Sequence, residues 1–501
     1  MSKILEYKNL DWMKGQSAQP NVPMGGLFES FLGCDPFEQG GLALPSLVPD
    51  SKSLATTPKF MTSINISGVG YINVLTQTKI YQVLQNSPYT VTDQTAGIDQ
   101  HLPFGTAINH NGLTTYQGRN VYVTYGNATT HYYINGNAPA WNNDVFLYDV
   151  ATTFGAESVA GSFMFRFCEG ADGNLYFGMV GNIGVLTSAT APSGSTHLID
   201  SDFVVRDIVN DGRYLVIFAD NNAQDAADRT TGSFKCKVYF WDMVQTDANG
   251  RIVCDVIWEF SDSYIIGAKV VEGNTIQMVT YNGIWILNVA TFPKMIRPFP
   301  TTTLARMGKP INAEQIVYTK GSLYWVDGSV NTNFYIYAYG NPITGQQKIF
   351  YVPYSTQGVN GVSQALLVSG KNFILGNDNP ALWFFNVGST RGSVSVTSLD
   401  VNMGQPHTYD YTKVVLGQKL ASGQQVQVVA YGNGGNDLIS SEIKTYAQVG
   451  AKQTLKFNPV RTTTNQPNKL EDIIVGVTAT GASLQRVATY GTPSDDANVD
   501  L

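Results

Sequence analysis

The residues best able to do chemistry in this sequence are five histidines. They are His101, His110, His131, His197 and His407, all in predicted loops. No two stand at metal-ligand spacing, and the zinc-protease pattern HExxH is absent. A zinc site would need three ligands gathered from distant segments, which the spacing does not indicate. We therefore expect no metal site and no cofactor.

A second set of candidates consists of acidic residues that follow predicted apolar strands, namely Asp211, Asp220, Asp327 and Asp378. A glycosidase needs two carboxylates that face each other across a cleft, and separate repeats could supply them. We interpret these residues instead as turn formers, because Asp accepts hydrogen bonds from nearby backbone amides. The motifs GxSxG, GxxxxGK[ST] and SxDxGxxW are also missing. The sequence therefore predicts a protein that is not an enzyme.

Two predicted loops could bind ligands. One carries Asp220, Asn222, Asp225 and Asp228, oxygen ligands of the kind that Ca²⁺ prefers. It lacks the EF-hand order, so a solvated acidic loop is the favoured interpretation.

The other loop, residues 127–144, contains Tyr132, Tyr133 and Trp141. Aromatic faces in a loop can stack on sugars, so these three residues form a candidate recognition site. Local packing of the same rings is the alternative.

The elements that would position these residues are marked by a recurring β-branched and aromatic phrase. Strong copies begin at Val145 (VFLYDV), Val238 (VYFWDM), Ile284 (IWILNV), Phe334 (FYIYAY) and Leu382 (LWFFNV), and weaker copies at Ile80 and Ile183. A strand-type unit repeating about every 50 residues is typical of a β-propeller, with one unit per blade. A Gly-led strand precedes most copies, as at Gly212 and Gly273, and the pair predicts a hairpin.

The predicted fold is all-β. Residues 59–392 form an irregular β-propeller of about seven blades, or six if the weak copies mislead. Residues 393–492 alternate more cleanly between apolar and polar, which indicates a separate β-sandwich. Residues 1–58 form an extended N-terminal docking arm, and 493–501 a disordered acidic tail.

Composition limits the function further. The 501 residues carry a net charge of −7, which argues against binding to a nucleic-acid backbone. No signal-peptide pattern begins the chain and no apolar run is long enough for a membrane span. We therefore expect synthesis in a cytoplasm and release, if any, by lysis. The four cysteines show no CxxC spacing; buried free thiols are favoured over a Cys236–Cys254 pair.

The arm is rich in Gly, Pro and Ser with isolated apolar residues, which would act as side-chain anchors. These are Leu27, Phe28, Phe31, Leu32 and Phe37. Such an arm could reach a neighbouring subunit or pack on its own domain, and the sequence leaves both possibilities open.

The order of arm, propeller and sandwich resembles that of virion proteins of tailed bacteriophages, including tail nozzle and tail-tip proteins. The sandwich is entered through YTKVVLGQKLASGQQVQVVAYGNGG, from Tyr411 to Gly435, which is similar to segments that follow propellers in phage tail proteins. The resemblance implies a structural tail component, assembled in the host cytoplasm as a homo-oligomeric ring with other tail proteins. It also implies a role in host attachment, with a host surface glycan as a candidate partner.

Two other functions stay open. The chain could be a carbohydrate-binding or carbohydrate-cleaving propeller, which predicts convergent carboxylates and loop aromatics around a central pocket. It could also be a propeller scaffold that binds peptides on one face.

Overall fold

The structure is a computed structural model that describes most of the chain. The described residues are 5–9, 15–16, 27–35, 46–76, 79–86, 88–94, 109–126, 129–135, 146–149, 165–188, 194–222, 234–299, 308–327, 334–340, 348–356, 362–370, 372–385, 391–398, 401–432, 437–459 and 470–493. The regular secondary structure of these residues is almost entirely β-strand, as the sequence predicted.

The strands are numbered in chain order. Four precede the propeller: β1 (Leu5–Asn9), β2 (Gly15–Gln16), β3 (Leu27–Leu32) and β4 (Asp50–Ser53). The first four blades contain β5 (Pro58–Ile66), β6 (Val69–Thr76), β7 (Ile80–Leu84), β8 (Val91–Asp93), β9 (Asn109–Tyr116), β10 (Arg119–Gly126), β11 (Thr129–Asn135), β12 (Phe146–Asp149), β13 (Phe167–Glu169), β14 (Leu175–Gly178), β15 (Asn182–Leu186), β16 (Gly194–Leu198), β17 (Val204–Asn210), β18 (Leu215–Asp220), β19 (Phe234–Trp241) and β20 (Val256–Asp262).

The next three blades contain β21 (Ile265–Val270), β22 (Ile276–Thr280), β23 (Gly283–Asn288), β24 (Thr291–Pro298), β25 (Ile316–Thr319), β26 (Ser322–Val326), β27 (Phe334–Gly340), β28 (Ile349–Thr356), β29 (Ser363–Ser369), β30 (Asn372–Asn377) and β31 (Ala381–Phe385). The C-terminal module contains β32 (Ser393–Ser398), β33 (Val401–Leu416), β34 (Gln425–Gly432), β35 (Asp437–Thr445), β36 (Thr454–Phe457), β37 (Leu470–Thr480) and β38 (Leu484–Pro493). Short helical pieces are the 3₁₀ turns Glu272–Asn274 and Ala313–Gln315 and the helix α1 (Tyr446–Val449).

Seven four-stranded antiparallel units form a β-propeller within the described residues. They are β5–β8, β9–β12, β13–β16, β17–β20, β21–β24, β25–β28, and β29–β31 completed by β4. The first strand of each unit lies beside the first strand of the next, and β29 lies beside β5. The ring is therefore closed, and of the two predicted blade counts the higher one is confirmed.

The ring is closed by the start of the chain. Strand β4 pairs antiparallel with β31, with Ser53 opposite Ala381 and Asp50 opposite Phe384. It is the outer strand of the seventh blade, although it falls within the segment predicted as an arm. Its sequence DSKS gave no strand signal, because it is polar and mostly exposed.

The recurring phrase marks the third strand in six of the seven blades. Val238, for example, lies on β19, where the last four residues are all buried. The copy at Val145 is the exception, since VFLYDV overlaps β12, the fourth strand of its blade. The third strand there is β11 (Thr129–Asn135), inside the segment predicted as a long loop.

The Gly-led strands are the second strands, and the glycine lies in the turn that enters each one. Its φ is positive in all seven blades: Gly68, Gly118, Gly173, Gly212, Gly273, Gly321 and Gly370. Glycine adopts this left-handed region without the steric cost that a Cβ brings. The glycine at 283 needs another explanation, since its φ is not in that region. A Cβ there would lie 2.4 Å from the Arg297 carbonyl oxygen of β24, so close backbone approach excludes a side chain.

Blades three and four are joined by a charged hub at Asp200. Its carboxylate accepts hydrogen bonds from Lys237 Nζ (2.8 Å), the Tyr239 hydroxyl (2.9 Å) and Arg251 Nη1. Burial opposes ionisation of the carboxyl, but the three donors outweigh burial and lower the pKa of Asp200 to about 2.

The strands of the C-terminal module are joined into one continuous sheet by the long strand β33. The first residues of β33 pair with β37, which also pairs with β32 and β34, and its later residues pair with β38 and β36. Strand β35 pairs with β34, and β1 pairs with β38. Strand β34 alternates regularly between buried and half-buried or exposed positions, as the sequence predicted for this region.

The N-terminal residues join the two modules, at what we call the N-terminal seam (residues 27–35 and 46–48). Strand β3 pairs antiparallel with β32 of the C-terminal module and, through Leu32 opposite Val352, in parallel with β28 of blade six. The Gly33 amide donates to the Val352 carbonyl at 2.7 Å, and buried Asp35 pairs with Arg391 at 3.1 Å. The described part of the arm therefore packs on its own chain.

The two modules also share a hydrophobic core. One cluster of buried side chains contains Tyr324 and Phe373 of blades six and seven together with Val396 and Val475 of the C-terminal module. Cys34 of the seam belongs to the same cluster. Because one core extends across the boundary, the modules form a continuous body.

Candidate functional site

A cavity of about 350 Å³ lies on the propeller axis. All seven first strands, or the residues leading into them, contribute to its lining, from Met61 on β5 to Leu366 on β29. Most of its lining residues are of apolar type, but polar atoms form the larger part of the exposed lining, and four charged side chains belong to it: Arg166, Asp207, Lys269 and Glu314. We call these four the axial charges.

Arg166 and Glu314 form an ion pair across the axis. Arg166 immediately precedes β13, and Glu314 lies in the 3₁₀ turn before β25. The Arg166 guanidinium donates from Nη1 to Glu314 Oε1, and its side chain is almost fully buried. Burial raises the pKa of the Glu314 carboxyl, Arg166 and Lys269 partly offset this effect, and Asp207 adds to it.

Asp207 is held by the backbone of its own and the neighbouring blade. Its Oδ2 accepts from the Ala268 amide at 2.8 Å, and its Oδ1 accepts from the Ile208 amide at 3.0 Å. A side chain at position 267 would crowd this contact, since a Cβ there would lie 3.1 Å from Asp207 Oδ2. The carboxylate thus fixes blade four to blade five.

Lys269 differs from the other axial charges. It lies near the end of β21 and is half-buried. Its side chain makes no hydrogen bond or ion pair with any residue that the structure describes, although its charge acts on the Glu314 carboxyl. The site therefore holds two carboxylates that accept hydrogen bonds and one ammonium group that donates none to a described residue.

Three of the four acidic residues singled out from the sequence have structural roles. Asp211 Oδ1 accepts from the amides of Arg213 and Tyr214, as expected of a turn former. Asp378 Oδ1 accepts from the Val362 amide at 2.7 Å, which anchors the entry into β29. Asp220 is fully buried and pairs with Arg206.

The predicted calcium loop is only partly described. Asp220 and Asn222 are engaged by Arg206, whose guanidinium donates to the Asp220 carboxylate and to the Asn222 carbonyl. Asp225 and Asp228 lie outside the described residues. Within the described part of the chain, no group of three or more His, Cys, Asp or Glu could hold a metal ion.

The loop assignment of the histidines was wrong for four of the five. His110, His131, His197 and His407 lie on β9, β11, β16 and β33, while His101 lies outside the described residues. His197 packs against Trp241 with the ring centroids 4.9 Å apart and the ring planes tilted by 60°, and burial lowers the pKa of His197.

The predicted aromatic recognition loop needs a similar correction. Tyr132 and Tyr133 lie on β11, paired opposite Tyr148 and Leu147 of β12, and are not loop residues. Trp141 lies outside the described residues. Whether these residues contact a ligand stays a prediction.

The apolar anchors of the arm are placed within the seam. Leu27, Phe28, Phe31 and Leu32 all belong to β3, and Leu32 packs against the hydrophobic core of blades five and six. Phe37 lies outside the described residues. The four cysteines are all in the described part of the chain and free, so no Cys236–Cys254 bond forms.

Sequence reasoning missed the axial charges. Arg166, in FMFRFC, and Lys269, in IIGAKV, are isolated charges next to apolar residues. A charged residue next to or inside an otherwise apolar first strand is the signal that could have found these two, because such a strand is packed between two blades. Asp207 follows Arg206 directly and Glu314 lies in a 3₁₀ turn, so neither carries that signal.

No family model and no curated protein matches the chain. Its fold is similar to solved β-propellers. Virginiamycin B lyase from Staphylococcus aureus is 14% identical with a TM-score of 0.46, covering 68% of this chain and 98% of that one. The Dos1 propeller is 9% identical with a TM-score of 0.42, covering 72% and 98%. These similarities concern the fold alone. No helix in the described part of the chain has the length and apolarity to cross a membrane.

Proposed function

We propose that this protein is a structural component of a bacteriophage tail, assembled in the host cytoplasm, that acts by assembly and recognition. The observation that supports the proposal best is the N-terminal seam. A short strand from the start of the chain is inserted between blade six and the C-terminal module, and pairs with both.

The seam makes the two modules one mechanical unit. Asp35 is almost fully buried beside Arg391, in the segment that connects the modules. Ser46 continues the contact, since its amide donates to the Gly33 carbonyl at 2.7 Å and its hydroxyl donates to Pro353. Independent domains joined by a linker normally move relative to one another. A particle component that transmits force between neighbours benefits from suppressing that motion.

The order of arm, propeller and sandwich supports the same proposal through its resemblance to phage tail proteins. The bonds described here limit how the arm could serve assembly. Strand β3 has partners on both edges within its own chain, so its backbone is not open to a neighbouring subunit. Contacts with other tail proteins would therefore use other surfaces.

The direct test is to locate the protein in particles. Antibodies raised against the full-length recombinant chain would be applied to density-purified phage from the source culture, with immunogold electron microscopy. We expect labelling confined to the tail. Absence of the chain from purified particles, shown by mass spectrometry, would contradict the proposal.

A variant pair tests the role of the seam. Arg391→Gln removes the guanidinium group that pairs with buried Asp35 at 3.1 Å, whereas Arg213→Gln changes an exposed side chain on blade four. Breaking a buried ion pair from one side is strongly destabilising. We expect the first variant to lose incorporation into particles while its circular dichroism stays β-rich, and the second to be incorporated normally. Equal incorporation of the two variants would show that the seam is not needed for assembly. A deletion of residues 1–58 would be uninformative, since it also removes β4.

A further inference from the structure

The axial cavity is the strongest ligand-binding candidate that tail assembly does not explain. Its volume of about 350 Å³ lies at the lower end of the range for small-molecule sites. Such sites combine apolar walls with a few polar groups that orient the ligand. Here the apolar wall includes Met61, Leu113 and Phe167.

The charges of the cavity favour one kind of ligand. Asp207 is occupied by two backbone amides, and Glu314 is occupied by Arg166. Both carboxylates therefore already accept hydrogen bonds, although Asp207 keeps its negative charge. The Lys269 ammonium group belongs to the cavity lining and donates no hydrogen bond to a described residue, so its donors can bind an anion.

We propose that the axial cavity binds a small carboxylate with an apolar body, with Lys269 as its counter-charge. The carboxylate would accept from Lys269 Nζ, and the apolar body would lie against the side chains from the first strands. The complex involves no covalent step. The proposal is independent of the tail function, since it concerns the axis and not the seam.

The Arg166–Glu314 ion pair should make the affinity for the anion depend on pH. Glu314 faces Arg166, Lys269 and Asp207, which come from the other elements around the cavity. Because burial raises the pKa of Glu314, this group takes up a proton at a higher pH than an exposed glutamate would. Protonation removes one negative charge from the cavity, so anion affinity should rise as the pH falls.

The test uses benzoate, 3-phenylpropionate and hexanoate as probes, with benzamide as the neutral control. Isothermal titration with the full-length protein should show saturable binding of at least one carboxylate, with a Kd of about 0.1–1 mM. Benzamide should bind at least about tenfold more weakly than benzoate, because it lacks the charge.

Variants then assign the site. Lys269→Met keeps an unbranched side chain, one heavy atom shorter, and removes the charge, so affinity should fall about tenfold or more. Lys269→Arg should restore most of it, and Lys452→Met, at an exposed position in the C-terminal module, should have no effect. Lowering the pH from about 7 to about 5.5 should tighten binding to the wild type and not to Glu314→Gln.

Several outcomes would overturn the proposal. They are the absence of saturable binding by all three carboxylates, equal binding of benzamide and benzoate, and unchanged affinity in a folded Lys269→Met variant. Circular dichroism melting curves of each variant would establish that it is folded.

Discussion

Replacing Lys52 with proline tests how the propeller ring is closed. The Leu54 amide donates to the Pro380 carbonyl at 2.9 Å. Hydrogen-bonded and non-hydrogen-bonded residue pairs alternate along an antiparallel ladder. Lys52, two residues before the hydrogen-bonded Leu54, lies opposite Leu382. The Lys52 amide must therefore face β31 and donate to it. The amide of Ser53, between them, faces away.

The expected cost follows from what the proline removes. Proline has no amide hydrogen, so one ladder bond worth about 1 kcal/mol is lost. The carbonyl of Leu382, whose side chain is fully buried, is left without that donor, at a further cost of about 1–3 kcal/mol. In total we expect destabilisation by about 2–4 kcal/mol. For a domain of this size that corresponds to a Tm lower by about 5 °C.

Thermal unfolding followed by circular dichroism would measure the change, and thermolysin would report release of the N-terminal segment. Ser53→Pro is the matched control, since it places the same ring one position away without removing a ladder bond. We expect Lys52→Pro to melt earlier and to be cleaved near its N-terminus, and Ser53→Pro to resemble the wild type. If the two variants behave alike, the alternation assigned to β4, and with it the closure by this strand, is refuted.

Three further results are expected. Asp200→Asn should destabilise the protein by about 2 kcal/mol near neutral pH in chemical unfolding. Because the pKa of Asp200 is lowered to about 2, the carboxylate stabilises the fold above its ordinary pKa near 4, and this stabilisation disappears as the pH falls toward 2. A stability difference between variant and wild type that persists near pH 2 would contradict this prediction. Gly212→Ala should cost about 1–2 kcal/mol, since φ is +97° with no atom within 4 Å of the new Cβ, so that the cost is backbone strain alone; an unchanged Tm would be inconsistent with this conformation. Burial, helped by nearby carboxylates, raises the pKa of Cys168 and Cys254 to about 12. Iodoacetamide at about pH 8 should therefore alkylate both thiols roughly a thousandfold more slowly than in the denatured chain, as measured by mass spectrometry. Rapid labelling of the native protein would count against this prediction.

The strands that the sequence revealed are those buried on both faces. All six residues of β18 are buried, and its largely apolar sequence LVIFAD predicts such a strand directly. The outer strand β20 alternates between half-buried and exposed residues and is much harder to distinguish from a loop. Strand β4 is polar and held by its backbone, so its pairing with β31 could not be read from residue types.

The axial cavity was unpredictable for a different reason. Arg166, Asp207, Lys269 and Glu314 come from four different blades, with no fixed spacing. Only the closed ring brings them together, so their proximity depends on the blade number and on the register of each first strand. In the second blade, the sequence analysis took VFLYDV for the third strand and therefore placed Tyr132 and Tyr133 in a loop. One repeat assigned to the wrong strand was enough to misplace a candidate site.

The pairing of the first strands with the last part of the chain affects how the protein can be made. Strands β1, β3 and β4 pair with β38, β32 and β31, respectively. Roughly 330 further residues must therefore be synthesised before β4 can pair with β31. At about 5–20 residues per second, a ribosome needs tens of seconds to supply them. During that time the nascent N-terminus must remain unpaired, and a chain whose synthesis stops before residue 381 cannot close its ring. Ring closure thus depends on synthesis of β31, and only chains that extend at least to that strand would enter an assembly that selects closed propellers.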